Sequence, residues 1–360
     1  MDSAVRPNAP VPPHTADHDR RAHAPVESPD VTARLSDIAT QAGVSEATVS
    51  RVINGKAGVS SSTRQAVVAA MDVLGFERPA KLRERSQGLI GLIIPELTNP
   101  IFPVFAQVIE QVLTRDGYTP VLCTQTPGGS SEDQLTELLV DHGVTGIVFV
   151  AGLHADTTAD MDRYVKLAGR RVPFVMVNGY TDKVSAPFVS VDHRAAARLA
   201  VSHLTELGHE RIGLAVGPPR YVPTQRMVEG FTLARSASEV LVEHSLYTVE
   251  GGQAAATALL DKGCTAIVCG SDLMAFGAIR AVRHRGLHVP RDVSVVGFDD
   301  SPLIVFTDPP LTTLRQPVEA MGQAAVRALM EEIGGTPAPH AEFVFQPELV
   351  VRGSTGAQRR

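Results

Sequence analysis

Cysteine is scarce: Cys123, Cys264 and Cys269 are the only three in 360 residues, an odd number with no C-x-x-C spacing. That argues against a disulfide-stapled scaffold and fits a chain kept reduced in the cytoplasm, its cysteines serving as small buried hydrophobes. Long apolar runs are missing as well. Uncharged stretches such as Gly143 to Leu153 fall short of the ~18 apolar residues a membrane span needs, so no membrane association is expected. No apolar stretch follows the basic start, which speaks against a secretory signal. Enzyme fingerprints are absent too. No G-x-G-x-x-G follows a strand, Gly55-Lys56 lacks the earlier glycine and the following Ser/Thr of a P-loop, and there is no G-x-S-x-G elbow. A nucleotide-dependent oxidoreductase, a kinase and a hydrolase are therefore disfavoured, and neither a cofactor nor a catalytic residue is expected. His14, His18 and His23 lack the cysteine or carboxylate partners of a metal site and read as solvated residues.

What is present is a long, ordinary globular composition: 44% hydrophobic and 20% charged, enough for two or three folding units. The net charge of −6 conceals an asymmetry. Residues 1–30 sum to −2, residues 31–88 to +3, and residues 89–360 to −7. Only the middle block would attract phosphate, so any nucleic-acid contact belongs there.

Residues 1–30, rich in proline and poor in large apolar side chains, read as a disordered tail. From Leu35 the pattern turns helical. Leu35, Ile38, Ala39 and Ala42 recur at helical spacing and stop at Gly43; Ser45 then caps a second helix through Asn54, with Val49, Val52 and Ile53 inward. Two short helices around a glycine-bearing turn make a helix-turn-helix, and a third helix follows from Ser60. Residues 31–77 are thus read as a DNA-binding head and 78–88 as a basic linker. Beyond Leu89, apolar strands (89–94, 119–124, 145–151, 173–178, 188–191, 211–216, 265–270 and 293–298) alternate with amphipathic helices. Strands apolar throughout imply parallel sheets covered on both faces, and their number favours two doubly wound α/β lobes.

In a helix-turn-helix the second helix enters the major groove. Ser45, Thr48 and Ser50 are short donors suited to phosphate, and Arg51 can fork onto guanine O6 and N7. Glu46 and Ala47 stand where base edges would be read, with Asn54 closing the helix. A solvated helical hairpin in an all-α core would show much of the same pattern.

The stretch from Leu35 to Phe76 resembles the opening signature of the lactose-repressor and galactose-repressor family of bacterial regulators. The likeness continues through Pro95 to Phe102, His203 to His209, Cys269 to Asp272, Val295 to Asp300 and Pro309 to Pro317, covering residues 31–356. It implies a homodimer on palindromic operator DNA, and a repressor is expected. Its periplasmic-binding-protein-like sensor would have two lobes, about 89–190 with 317–346 and 191–316 with 347–360, crossed by three strands and closing on a small-molecule effector such as a sugar. The family's hinge wedges a leucine into the minor groove. Here that role is carried to Leu82, with Lys81, Arg83 and Arg85 on phosphates, although the segment is shorter than the family's. For the effector the resemblance carries over Asp272, Asn178, Arg226, Phe102 and Tyr247. Asp272 could equally be an N-cap carboxylate, and Met227, not Arg226, occupies the strict position of the family's ligand arginine. No leucine heptads follow Ser354, which favours a dimer over a tetramer. The rival for these lobes is a transport-type solute-binding protein, which the head and the missing export signal disfavour.

Overall fold

The computed structural model describes residues 35–56, 58–76, 86–125, 128–235, 239–336 and 338–358. The expected tail and the hinge residues Lys81, Leu82, Arg83 and Arg85 lie outside them. Two compact units divide the chain, Met1–Glu84 and Arg85–Arg360.

The first unit is three helices: α1 (Leu35–Ala42), α2 (Glu46–Ile53) and α3 (Ser61–Val73). Gly43 adopts φ 65°, the left-handed conformation that ends α1 and that a Cβ would strain. The side chain of Ser45 then accepts the Thr48 N–H at 3.2 Å, satisfying an amide at the start of α2 that has no partner within the helix. Ile38, Ala39, Val49, Val52, Val67, Ala70 and Met71 meet in one small core.

The second unit holds two six-stranded sheets. The first contains β1 (Leu89–Ile94), β2 (Thr119–Thr124), β3 (Gly146–Val150), β4 (Phe174–Val177), β5 (Phe188–Val191) and β11 (Glu342–Phe345). The other contains β6 (Ile212–Val216), β7 (Leu241–His244), β8 (Ala266–Cys269), β9 (Ser294–Asp299), β10 (Thr312–Arg315) and β12 (Glu348–Val350). Strand orders are β11-β5-β4-β3-β1-β2 and β12-β10-β9-β8-β6-β7, one winding used twice. The chain crosses between the sheets after β5, after β10 and between β11 and β12.

Burial explains the uniformly apolar strands. Along β3, Val148 and Val150 join one core while Ile147 and Phe149 join another on the opposite face. In β8, Val268 and the pair Ile267 and Cys269 divide in the same way. Helices α4 (Ile101–Arg115) and α11 (Val318–Ile333) pack together on the first lobe, and α7 (His193–Glu206) packs on α8 (Val222–Ala234) in the second. On the other faces lie α5 (Glu132–Asp141) and α6 (Asp162–Gly169), and α9 (Val249–Asp261) and α10 (Asp272–His284).

Four strands escaped the reading of the sequence: β7, β10, β11 and β12. Each is three or four residues long and none is uniformly apolar. The sheets are also not wholly parallel, because β12 runs antiparallel to β10 as an edge strand.

Candidate DNA-reading helix and ligand cleft

On α2, Val49 and Val52 point into the core, which leaves Glu46, Ala47, Arg51 and Asn54 exposed and Thr48 and Ser50 half-buried. These positions recur at helical spacing and form the outer face of the helix. Ser45 is committed to its cap, with its hydroxyl also 2.9 Å from that of Thr48. Asn54 donates to the Ser50 carbonyl at 2.8 Å, closing the helix. Arg51 is exposed, so its guanidinium can be reached from outside the protein.

In a doubly wound sheet, ligands settle beyond the carboxyl ends of the strands. Here two such sheets turn their carboxyl ends toward each other, and a cleft of about 460 Å³ lies between them. That volume lies within the ~300–1,000 Å³ of small-molecule sites. Pro95 and Glu96 follow β1, Ala151 follows β3, Asn178 follows β4 and His193 follows β5. From the other lobe come Pro218 after β6, Leu246 and Tyr247 after β7, Gly270 and Ser271 after β8, Asp299 at the end of β9 and Gln316 after β10. Phe102 on α4 and Met227 on α8 add apolar wall.

A chain of amides and a carboxylate runs across the back of the cleft. Asn178 Nδ2 donates to Gln316 Oε1 at 2.9 Å, and Gln316 Nε2 donates to Asp299 Oδ1 at 2.7 Å. Asn178 has φ 59°, a left-handed conformation that asparagine tolerates better than most residues. Burial, and then the nearby Asp272 carboxylate, push the Asp299 carboxyl well above its ordinary range, opposed by the Gln316 hydrogen bond. Tyr247 hydrogen-bonds the Thr224 hydroxyl at 2.7 Å, and burial raises its phenol to about 12. Gly217 makes room for that ring, since a Cβ there would fall 2.0 Å from it. The His193 imidazole stacks on Phe298 with centroids 5.3 Å apart, and burial, helped by the Arg226 cation, lowers it to about 4.

Phe102, Asn178 and Tyr247 thus lie on the cleft wall, but two residues carried over by resemblance do not. Asp272 is 1% exposed. Its oxygens accept from the Ser301 N–H at 2.7 Å and the Thr313 hydroxyl at 2.7 Å, and a Cβ at Gly297 would fall 2.4 Å from Oδ1. Its carboxylate ties α10 to the loop after β9 and to β10. Arg226 instead pairs with Glu342, and Met227 faces the cleft in its place. Asp299, Gln316, His193, Arg220 and Tyr221 also line the cleft, without having been expected from the sequence. The signal for Asp299 was there: a polar residue ending the apolar run Val295 to Phe298, at the end of a strand where ligands settle.

Among the described residues no cluster of His, Cys, Asp or Glu could hold a metal ion, and no helix is long and apolar enough to cross a membrane.

Comparison with known proteins matches this architecture. Residues 34–78 match the model described as bacterial regulatory proteins, lacI family, and residues 201–355 match the periplasmic binding protein-like domain. The HTH-type transcriptional regulator reg1 of Streptomyces lividans is 69% identical over 337 residues, covering 91% of this chain and 98% of that protein. MalR of Streptomyces coelicolor is 69% identical over 336 residues, again covering 91% of this chain and 98% of the relative. Among solved structures, the complex of the transcriptional regulator CelR with cellobiose superposes with TM-score 0.66 at 30% identity, covering 89% of this chain and 99% of that one. The lac repressor dimer bound to operator and the anti-inducer ONPF gives TM-score 0.66 at 28% identity, covering 90% and 99%. With a helix-turn-helix head, two parallel-sheet lobes and relatives of this identity along nearly the whole chain, the protein belongs to the lacI family of bacterial regulatory proteins and is a DNA-binding transcriptional regulator.

Proposed function

We propose that the chain acts in the cytoplasm as a homodimeric repressor, whose affinity for a palindromic operator is set by a sugar or related polar metabolite held between the two lobes. The observation that carries this reading is the cleft itself, in which residues from nine of the twelve strand ends, drawn from both lobes, converge on one space. A ligand touching both walls favours one lobe angle. By linkage it then shifts operator affinity by its differential binding, typically ~1–3 kcal/mol. No enzymatic step is assigned to this cleft.

The wall chemistry favours an uncharged polyol. Phe102, Tyr247, Met227 and Phe298 offer apolar surface for the C–H face of a sugar, while Asn178, Gln316, Asp299 and Glu96 offer paired donors and acceptors for hydroxyls. The lining guanidinium, Arg220, is engaged with Asp156 at 2.8 Å. The solved relative CelR holds cellobiose, and a relative from Enterococcus faecium holds ribose.

On the DNA side, Glu46, Ala47 and Arg51 read base edges while Ser45, Thr48, Ser50 and Asn54 position the helix on the backbone. Lys81 and Arg83 add phosphate contacts around Leu82 in the minor groove. For the dimer, Leu303, Val305 and Phe306 form an apolar patch, 67%, 43% and 82% exposed, that a second copy of the chain would cover. The lac repressor among the solved relatives is a dimer on its operator.

Selection of binding sites from random duplexes by the full-length protein tests the reading. It should return a palindrome of roughly 14–18 bp, and a sugar panel including cellobiose and ribose should contain a member that shifts its affinity. Absence of any preferred duplex would refute it.

A further inference from the structure

Arg226 lies on α8 in the second lobe and Glu342 opens β11 in the first. The two side chains meet face to face, Nη1 to Oε1 at 2.5 Å and Nη2 to Oε2 at 2.8 Å, each about seven-eighths buried at 13% and 14% exposure. The planar fork of a guanidinium on a carboxylate is the most directional ion pair proteins make. This one spans the two lobes.

A second cross-lobe contact lies at the cleft wall. Asp156, in the loop after β3, accepts from Arg220 Nε at 2.8 Å, and the Arg220 carbonyl accepts from Thr157 N–H at 2.9 Å and from its hydroxyl at 2.8 Å. That loop is itself fixed, because the buried Glu132 carboxylate accepts the Leu153 N–H at 2.9 Å. The Thr157 amide is therefore a built-in reporter of whether the lobes are together.

We propose that Arg226 and Glu342 form a pin that holds the lobes closed by themselves, so that Arg226 is a positioning residue and not a ligand contact. Both terminal nitrogens of the Arg226 guanidinium are turned onto Glu342, while the neighbouring Met227 supplies the cleft wall. The imidazole of His193 stands close to the pair and is neutral at physiological pH, so it does not compete for Glu342. Charges buried to this degree are costly to leave unmatched, and loss of either partner drives the other toward water, which parting of the lobes supplies. Binding between lobes already held together is tighter than binding to lobes that must first be brought together. The pin thus sets how much effector is needed. This purpose rests on reading the cleft as the effector site, whereas the pin itself does not.

Hydrogen exchange read by mass spectrometry on the full-length protein, with neither DNA nor sugar added, tests it. In the wild type the peptide containing Thr157 should be protected. Arg226→Glu and Glu342→Arg should each speed its exchange by roughly 10-fold or more, and the double exchange of charges should restore protection. Amides of β3 and β6 should stay protected throughout, which separates parting of the lobes from unfolding. Glu342→Gln preserves shape, carries the same expectation, and decides the matter if a reversed charge disturbs those core amides. Single variants with wild-type exchange at Thr157, or a double variant that fails to recover while the core stays protected, would overturn the pin. Operator selection would be untouched by that failure, since exchange reads the lobes alone.

Discussion

Two adjacent aspartates at the end of β9 divide the work of holding and reading. Asp299 and Asp300 both adopt positive φ, 121° and 59°, a conformation that is unfavourable outside glycine and is kept where the surroundings over-determine it. Asp300 is fixed by Arg315 at 2.6 Å and Arg352 at 2.6 Å, and that clamp presents Asp299 to the cleft. Asp299→Ala should therefore weaken binding of the responsive sugar by about 1–3 kcal/mol in calorimetry, with little change in operator selection. Asp272 carries no such expectation. The sequence made Asp272 conspicuous, as an aspartate after a strand and at the head of a helix, but it could not reveal that the Ser301 amide and Thr313 hydroxyl would claim the carboxylate. In the head the sequence was more legible, since only the inward spacing of Val49 and Val52 is needed to expose Arg51. Arg51→Ala should relax one base preference by about 1–3 kcal/mol per half-site. A uniform loss across all sequences would make Arg51 a phosphate clamp.

Buried histidines give a pH test at the same scale. Burial lowers His154 to about 4, against an ordinary value of 6.5, despite its contact with the Val177 carbonyl. A base whose folded value is depressed contributes stability that is present above its unfolded value and lost as pH falls toward the folded one. Stability carried by neutral His154 is therefore complete above pH 6.5 and fades toward pH 4. His154→Gln, which cannot titrate there, should show a smaller fall in urea midpoint between pH 7 and pH 5 than the wild type.

Among the elements, mostly apolar strands were readable whatever their length. The eight strands read from the sequence are all present, and most are apolar on both faces because helices cover the sheet on each side. The four missed strands sit at edges or carry polar side chains, and they form because neighbouring strands supply hydrogen-bond partners from far along the chain. Helix packing in the second lobe was equally hidden. Gly230 lets α8 approach α7 so closely that a Cβ would fall 2.3 Å from the Arg194 carbonyl oxygen. Gly230→Ala should lower stability by about 1–3 kcal/mol in denaturant unfolding, since backbone cannot yield as a side chain does. Met227, one turn earlier on that helix, would be displaced with it, so sugar affinity should fall as well.

For the whole molecule, the repeated βαβ rhythm was enough to anticipate two lobes and the basic block enough to locate the DNA-binding unit. What could not be read is which residues of one lobe would meet which of the other, because such pairs depend on how the lobes face each other: Asn178 with Gln316, Arg226 with Glu342. If the proposed homodimer uses the exposed apolar patch, Phe306→Glu places a charge in it and should convert dimer to monomer in sedimentation. A single head touches half the phosphates of a dimer, so operator affinity should fall and its salt dependence flatten.

The most direct measurement of the central claim is competition binding by the full-length protein between its selected palindrome and random duplex, repeated with the sugar panel. The account predicts a strong preference for the palindrome, with steep salt dependence, and a change of about 5- to 150-fold in that affinity with one neutral sugar. Equal binding to palindrome and random duplex, with every sugar and without any, would contradict it.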